Sequence, residues 1–287
     1  MAHQIESFFH EETFTFTHLL VDEGSGKAAL IDPVLDFDQK SGRTSTGFID
    51  AILNRVSERK LSLQYVLETH AHADHLTSAD YIRGQTGAAI VIGSPITTVQ
   101  GTFKKIFNEG ERFVADGHQF DHLIEDGEEL LLGSTHIKAI ATPGHTPACH
   151  SLLVNDSDVF VGDTIFAPDV GSARCDFPGG DAGTLWDSVH KLMALGDDVV
   201  IHLCHDYPPE GRPVTSAVTV GEQRRSNIHM KDDVSRDEFI RMRSERDAGL
   251  EMPRLILPSL QVNIRAGALP EAEDNGVAYL KLPLNLL

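Results

Sequence analysis

Residues 69–75 read Thr69-His70-Ala71-His72-Ala73-Asp74-His75. Four side chains able to hold a metal, His70, His72, Asp74 and His75, fall within this one stretch. Imidazole and carboxylate are the usual protein ligands of zinc and iron. The apolar run Tyr65-Val66-Leu67 leads straight into it, which reads as a strand giving way to a loop. Loops carried on a rigid frame are where functional sites are built. The plainer reading is a set of solvated polar residues before a helix, but three imidazoles so close together argue for a shared ligand.

Working outward, the flanking segments predict a layered α/β protein. Residues 14–21 and 27–32 are strand material on either side of the turn Asp22-Glu23-Gly24-Ser25-Gly26, a hairpin signal. Phe48, Ile49, Ile52, Leu53 and Val56 give residues 45–59 helical periodicity. A short helix is expected to end near Gly84 to Gly87, and 88–93 is a buried-strand candidate. This βαβαβ rhythm is that of a layered α/β fold. Further on, 129–132 with 136–141 and 151–154 with 159–162 read as two hairpins. Residues 184–195 read as an amphipathic helix, and 198–203 as a strand. Ser235-Arg236-Asp237-Glu238 has capping-box spacing before another helix. No repeat or linker is apparent. One domain over 1–287 is expected, with a core of about 1–230 and a C-terminal extension, 231–287.

Three distant segments also end strands on a ligand-type residue: Pro143-Gly144-His145, Gly162-Asp163 and Cys204-His205. A lone histidine at a strand end is usually a satisfied core or surface residue. Four such termini in one chain point to convergence on one centre.

Bulk properties narrow the chemistry. The chain has 287 residues, 24 basic against 43 acidic, and a net charge of −19. Nucleic acid is a poor partner for such a surface. An anionic substrate would need a local basic patch. Three widely spaced cysteines, Cys149, Cys175 and Cys204, are no disulfide framework and suit a reducing compartment. No leader-like start and no membrane-length apolar run is visible, so a cytoplasmic protein without membrane contact is expected. Any self-association is expected to be an isologous homodimer. Cys149 and Cys204 read as small buried residues and Cys175 as an oxidation-sensitive thiol. His118 and His122 are placed in a polar loop and His202 in a strand interior. For His150 the sequence does not choose.

The ordered set of motifs resembles the metallo-β-lactamase superfamily, an αβ/βα sandwich of two mixed sheets flanked by helices. The full superfamily pattern holds two metals. His70, His72, His145 and a bridging Asp163 would hold one, and Asp74, His75, Asp163 and His205 the other. Further segments narrow the resemblance. Gly171-Ser172-Ala173-Arg174-Cys175-Asp176-Phe177, His205-Asp206-Tyr207, residues 219–227, Met252-Pro253-Arg254 and Val262-Asn263-Ile264-Arg265-Ala266-Gly267 resemble the persulfide dioxygenases of the ethylmalonic-encephalopathy type. Two departures, a longer loop between Asp163 and Arg174 and His229 in place of an arginine, suit a bacterial branch. The resemblance implies one Fe(II) per chain, held by His70, His145 and Asp163. His72, Asp74, His75 and His205 would then orient ligands or waters, or hold a second metal. It implies oxidation of glutathione persulfide by O2 and water to sulfite and glutathione. Arg174 and Tyr207 would act at the substrate, with His229 and Arg265 assisting its binding. For Arg174 a structural ion pair with Asp176 is the competing expectation. The other candidate activity is a binuclear thioester hydrolase of the glyoxalase II type, which shares every ligand type.

Overall fold

The structure is a computed structural model and describes residues 2–286. The first half runs β1 (His3–His10), β2 (Thr15–Asp22), β3 (Lys27–Ile31), β4 (Val34–Asp38), β5 (Arg43–Ser45), α1 (Gly47–Glu58), β6 (Ser62–Glu68), β7 (Leu76–Thr77), α2 (Ala79–Thr86), β8 (Ala89–Gly93), α3 (Ile96–Ile106) and β9 (His122–Ile124). The second half runs β10 (Glu129–Leu132), β11 (Thr135–Ala141), β12 (His150–Val154), β13 (Asp158–Phe160), α4 (Ala182–Met193), β14 (Val200–His202), β15 (Ala217–Thr219), α5 (Val220–Ser226), α6 (Arg236–Asp247) and α7 (Ile256–Asn263).

Strand alternation builds the layers. Successive side chains of a strand point to opposite faces. In β2, Leu19 and Val21 join a core shared with α1, α2, α3 and α7, whereas Leu20 turns the other way. In β3, Ala28 and Leu30 follow the first course, Ala29 and Ile31 the second. The same division recurs in the second half. Leu153 and Val159 pack under α4 and α6, while Leu152, Val154 and Phe160 face the opposite sheet. Two six-stranded sheets, β1-β2-β3-β6-β8-β9 and β10-β11-β12-β13-β14-β15, therefore stack face to face. Helices cover both outer faces, as the αβ/βα expectation requires. Both sheets are mixed: β3-β6-β8-β9 and β13-β14 pair parallel, the remaining neighbours antiparallel.

The C-terminal extension is no appendage. Phe239 of α6 enters the second helical core, and Ile256 and Leu260 of α7 enter the first. One smaller expectation is corrected, and one open choice is settled. His122 opens β9, pairing with Val91, so it does not lie in a loop. His150 is buried in β12 and its Nδ1 donates to the Ala148 carbonyl at 3.0 Å, so it is a core residue.

The sheets converge at the ends of β3, β6, β13 and β14, and His18 of β2 ties them together. Its Nε2 donates to the Leu203 carbonyl at 2.9 Å, and its Nδ1 accepts from the Ser7 hydroxyl, also at 2.9 Å. Burial, and next the charge of nearby His202, push its pKa down to about 3. A folded-state pKa below the unfolded value of about 6.5 means that the unfolded chain binds the proton first, so stability falls as pH drops from about 6.5 toward 3. Chemical denaturation at successive pH values should show this loss, with a shallower slope for His18→Gln.

Candidate metal centre

Every sequence-expected ligand reaches one place. His70, His72, Asp74 and His75 follow β6, His145 follows β11, Asp163 follows β13 and His205 follows β14. Two sets of donor atoms lie within 4.8 Å of one another: His70, His145 and Asp163, and His72, Asp74, His75 and His205. Asp163 stands between them. Its Oδ2 is 3.9 Å from His70 Nε2 and 3.7 Å from His145 Nε2, and its Oδ1 is 3.3 Å from His205 Nε2. Gly162 has a φ of +52°, and a Cβ there would come within 2.6 Å of the Thr69 hydroxyl. Only glycine lets the Asp163 turn approach the His70 loop so closely.

Hydrogen bonds fix which nitrogen each imidazole offers. His70 Nδ1 donates to the Thr69 hydroxyl at 3.0 Å. His72 Nε2 donates to Asp32 Oδ1 at 3.0 Å. His75 Nδ1 donates to Asp74 at 3.3 Å, His145 Nδ1 to the Arg174 carbonyl at 2.8 Å and His205 Nδ1 to the Phe14 carbonyl at 3.3 Å. The opposite nitrogens, His70 Nε2, His72 Nδ1, His75 Nε2 and His205 Nε2, are buried without a hydrogen-bond partner, as is Asp163 Oδ1. Buried polar atoms are rarely orphaned, because each costs about 1–3 kcal/mol. Five such orphans among the described residues, divided between the two neighbouring donor sets, fit a metal centre. Burial, reinforced by neighbouring imidazoles, keeps His70 neutral, its pKa well below the usual value. Burial and the charge of His72 take His75 down to about 4, whereas His72, although buried, is raised well above its usual value by Asp32 and Glu68, so a metal at its Nδ1 would have to displace a proton. Neutral imidazole is the form that binds metal.

Two residues that orient these ligands, Asp32 and Asn263, have no role assigned to them by the sequence, although Asn263 lies in one of its motifs. Asp32 accepts from the Thr69 amide and hydroxyl as well as from His72. Asn263 Nδ2 donates to the carbonyls of His72 and His75, at 2.8 Å each, and its Oδ1 accepts the Thr77 amide at 2.9 Å. Of the two expectations for His72, Asp74, His75 and His205, orienting groups or a second metal, the unpartnered His72 Nδ1, His75 Nε2 and His205 Nε2 and the closeness of all four donors fit the second.

The centre opens into a cavity of about 520 Å³, lined among others by His145, Asp163, Phe166, Phe177 and Tyr207. Tyr207 is half-exposed and stacks on His205, with ring centroids 5.8 Å apart. Arg174 lines the cavity, yet its guanidinium is already engaged. It grips both oxygens of Asp176 at 2.6 Å and donates to the Glu251 carbonyl at 2.7 Å. The structural reading of Arg174 thus holds, alongside its place in the wall. His229 does not line the cavity. It is buried behind the wall, where its Nδ1 accepts from the Ser172 amide at 3.0 Å. Arg265 is elsewhere too, 4.6 Å over the Phe113 ring and paired with Glu109 at 2.9 Å. Cys175 is buried and its thiol pKa is raised by burial, which overturns the expectation of an oxidation-sensitive thiol.

The family model described as "Metallo-beta-lactamase superfamily" matches residues 12–205. The chain belongs to the metallo-β-lactamase superfamily. Within it, the chain is 50% identical to a probable metallo-hydrolase of Burkholderia pseudomallei, over 99% of each chain. It is likewise 50% identical to Glyoxylase B2 of Dictyostelium discoideum, over 99% of this chain and 98% of that one. Human mitochondrial persulfide dioxygenase ETHE1 is 33% identical over 92% of this chain and 88% of its own. The crystal structure of ETHE1 from Myxococcus xanthus superposes with a TM-score of 0.72 at 30% identity, covering 92% of this chain and all of that one. Metallo-β-lactamase proteins share a fold across many reactions, so the reaction must be argued from the site.

Stripping metal with a chelator should lower the melting temperature, because a ligand that binds only the folded state stabilises it by mass action. Asn263→Ala should cost about 1–3 kcal/mol of stability by leaving two carbonyls of the ligand loop unpaired. It should also speed metal release to a chromogenic chelator.

Proposed function

We propose that the protein is an Fe(II)-dependent persulfide dioxygenase, oxidising glutathione persulfide with O2 and water to sulfite and glutathione. The observation that carries this reading is how the persulfide-dioxygenase-like segments are wired to the ligands. The Arg174 carbonyl, in the Gly-x-x-Arg-x-Asp-Phe segment, sets the tautomer of His145. Asn263, in the Asn-x-Arg-x-Gly segment, clamps the loop of His72 and His75. The likeness to ETHE1 proteins extends through both segments, over 92% of the chain.

In this reading His70, His145 and Asp163 hold one iron per chain. Two histidines and one carboxylate leave open positions for O2 and substrate, and iron supplies the redox capacity that zinc lacks. The protein supplies positioning and exclusion. Phe166 and Phe177 make the wall apolar, and Tyr207 flanks the opening against Phe14, with ring centroids 5.6 Å apart. The Arg174–Asp176 pair holds this wall in register with His145.

A second reading has its own support. The set His72, Asp74, His75 and His205 offers a second metal position, and Glyoxylase B2 is a 50% identical relative. Two metals and a bridging hydroxide would make the protein a glutathione thioester hydrolase.

The test is metal analysis of anaerobically purified protein beside oxygen-electrode assays. One iron per chain and O2 uptake with glutathione persulfide are expected, and Asp163→Ala should lose iron and activity together. Two metals per chain with thioester cleavage in the absence of O2 would sink the dioxygenase reading.

A further inference from the structure

Four arginines line the cavity beside the metal centre in a protein of net charge −19: Arg174, Arg243, Arg246 and Arg254. They fall into two classes. Arg174 is neutralised by Asp176, and Arg243 by Asp247 at 2.6 Å, with the Ser172 carbonyl as a further acceptor. Both are bracing for the wall. Arg246 and Arg254 are exposed, and among the described residues their guanidinium groups have no ion pair and no hydrogen bond.

The backbone that carries this second pair is held in place. Arg246 sits in the last turn of α6 and Arg254 just before α7, on either side of one short connection. Arg174 Nη1 fixes that connection at the Glu251 carbonyl, and Gln39 Nε2 fixes it at the Arg254 carbonyl, at 3.1 Å. Two uncommitted cations are thus presented from an anchored loop while their side chains remain free to close on a ligand. Guanidinium groups bind carboxylates through paired, charge-assisted hydrogen bonds. A cavity of about 520 Å³ is also in the range that takes a small peptide-sized ligand.

We propose that Arg246 and Arg254 form a two-point grip for a thiol substrate bearing two separated carboxylates, one arginine to each, while the sulfur carried between them reaches the metal centre. This deepens the functional reading above and rests on its assignment of glutathione as the thiol carrier. The grip is a specificity device: it selects a tripeptide thiol with two carboxylates over cysteine, whose single carboxylate can engage only one of the two arginines. Partly exposed cations also make the recognition sensitive to salt.

The test uses the metal-loaded protein and calorimetric binding of glutathione, its dimethyl ester, cysteine and coenzyme A. The Arg246→Gln/Arg254→Gln double variant should bind glutathione ~10-fold or more weakly. Its affinity for the dimethyl ester should be unchanged, as should its metal content and circular dichroism. With glutathione persulfide, KM should rise and kcat should hold. Unchanged glutathione affinity in the double variant would overturn the grip, as would equal losses for glutathione and its ester, or tighter binding of coenzyme A by the native protein. The two readings fail separately. Arginine-dependent glutathione binding without O2 uptake keeps the grip and removes the dioxygenase. O2 uptake with an unchanged KM in the double variant does the reverse.

Discussion

The carboxylate of Asp32 is the constraint around which this molecule is organised. It is buried at the end of β3, in a left-handed conformation with φ of +49°. Aspartate tolerates that region better than most residues. Burial alone would raise its pKa. The nearby His72 and the hydrogen bonds from His72 and Thr69 reverse the direction and keep it ionised. Its oxygens take the Thr69 amide and hydroxyl and the His72 ring, and the Cys204 thiol stands 3.6 Å away. One side chain thus ties the ends of β3, β6 and β14 together. It also decides which nitrogen of His72 is left free, and it orients His70 through the Thr69 hydroxyl.

Around that node, hydrophobic and polar requirements occupy different places. The three apolar clusters fix the two sheets and their helices. The polar groups that the clusters cannot absorb are gathered at the sheet edge, where five donor atoms are left unsatisfied. Stability and function are therefore in tension at this edge, as at many active sites. The acidic surface has a similar local exception. A net charge of −19 would repel an anion, and the cavity wall sets two unpaired arginines, Arg246 and Arg254, against it.

The legible part of the sequence was the part with short-range pattern. Strand-type runs on either side of turn residues disclosed β2, β3, β11 and β12, and the tight turn at Gly133, with φ of +63°, made the β10–β11 hairpin plain. Elements without such a pattern were missed. The strand β1 carries only intermediate burial along most of its length. The helix α3 hides Ile96, Val99 and Phe103 among threonines and a glycine, and α7 contains Pro258. The candidate ligands were visible because loop-borne histidines cluster in sequence. Their orienting partners were not, because Asp32, Asn263 and the Arg174 carbonyl act across the fold. His229 and Arg265 were misplaced for the same reason: resemblance named the residues, and burial behind Ser172 and the Glu109 pair decided where they work. Arg246 stands in no motif, and Arg254 only closes the Met252-Pro253-Arg254 segment, to which the sequence assigns no role. Only the wall they share distinguishes them from other surface arginines.

The Asn263 clamp has a consequence for the order in which the protein is made. Its two acceptors lie in the ligand loop, and 191 residues separate it from His72. At a synthesis rate of about 5–20 residues per second, the histidine-rich loop waits on the order of 10–40 s for its clamp to leave the ribosome. Asp163, His145 and His205 also emerge before that moment. Every candidate ligand is therefore synthesised before the side chain that clamps the His72 and His75 carbonyls, and until then the loop depends on Asp32 and Thr69 for its hold on His70 and His72.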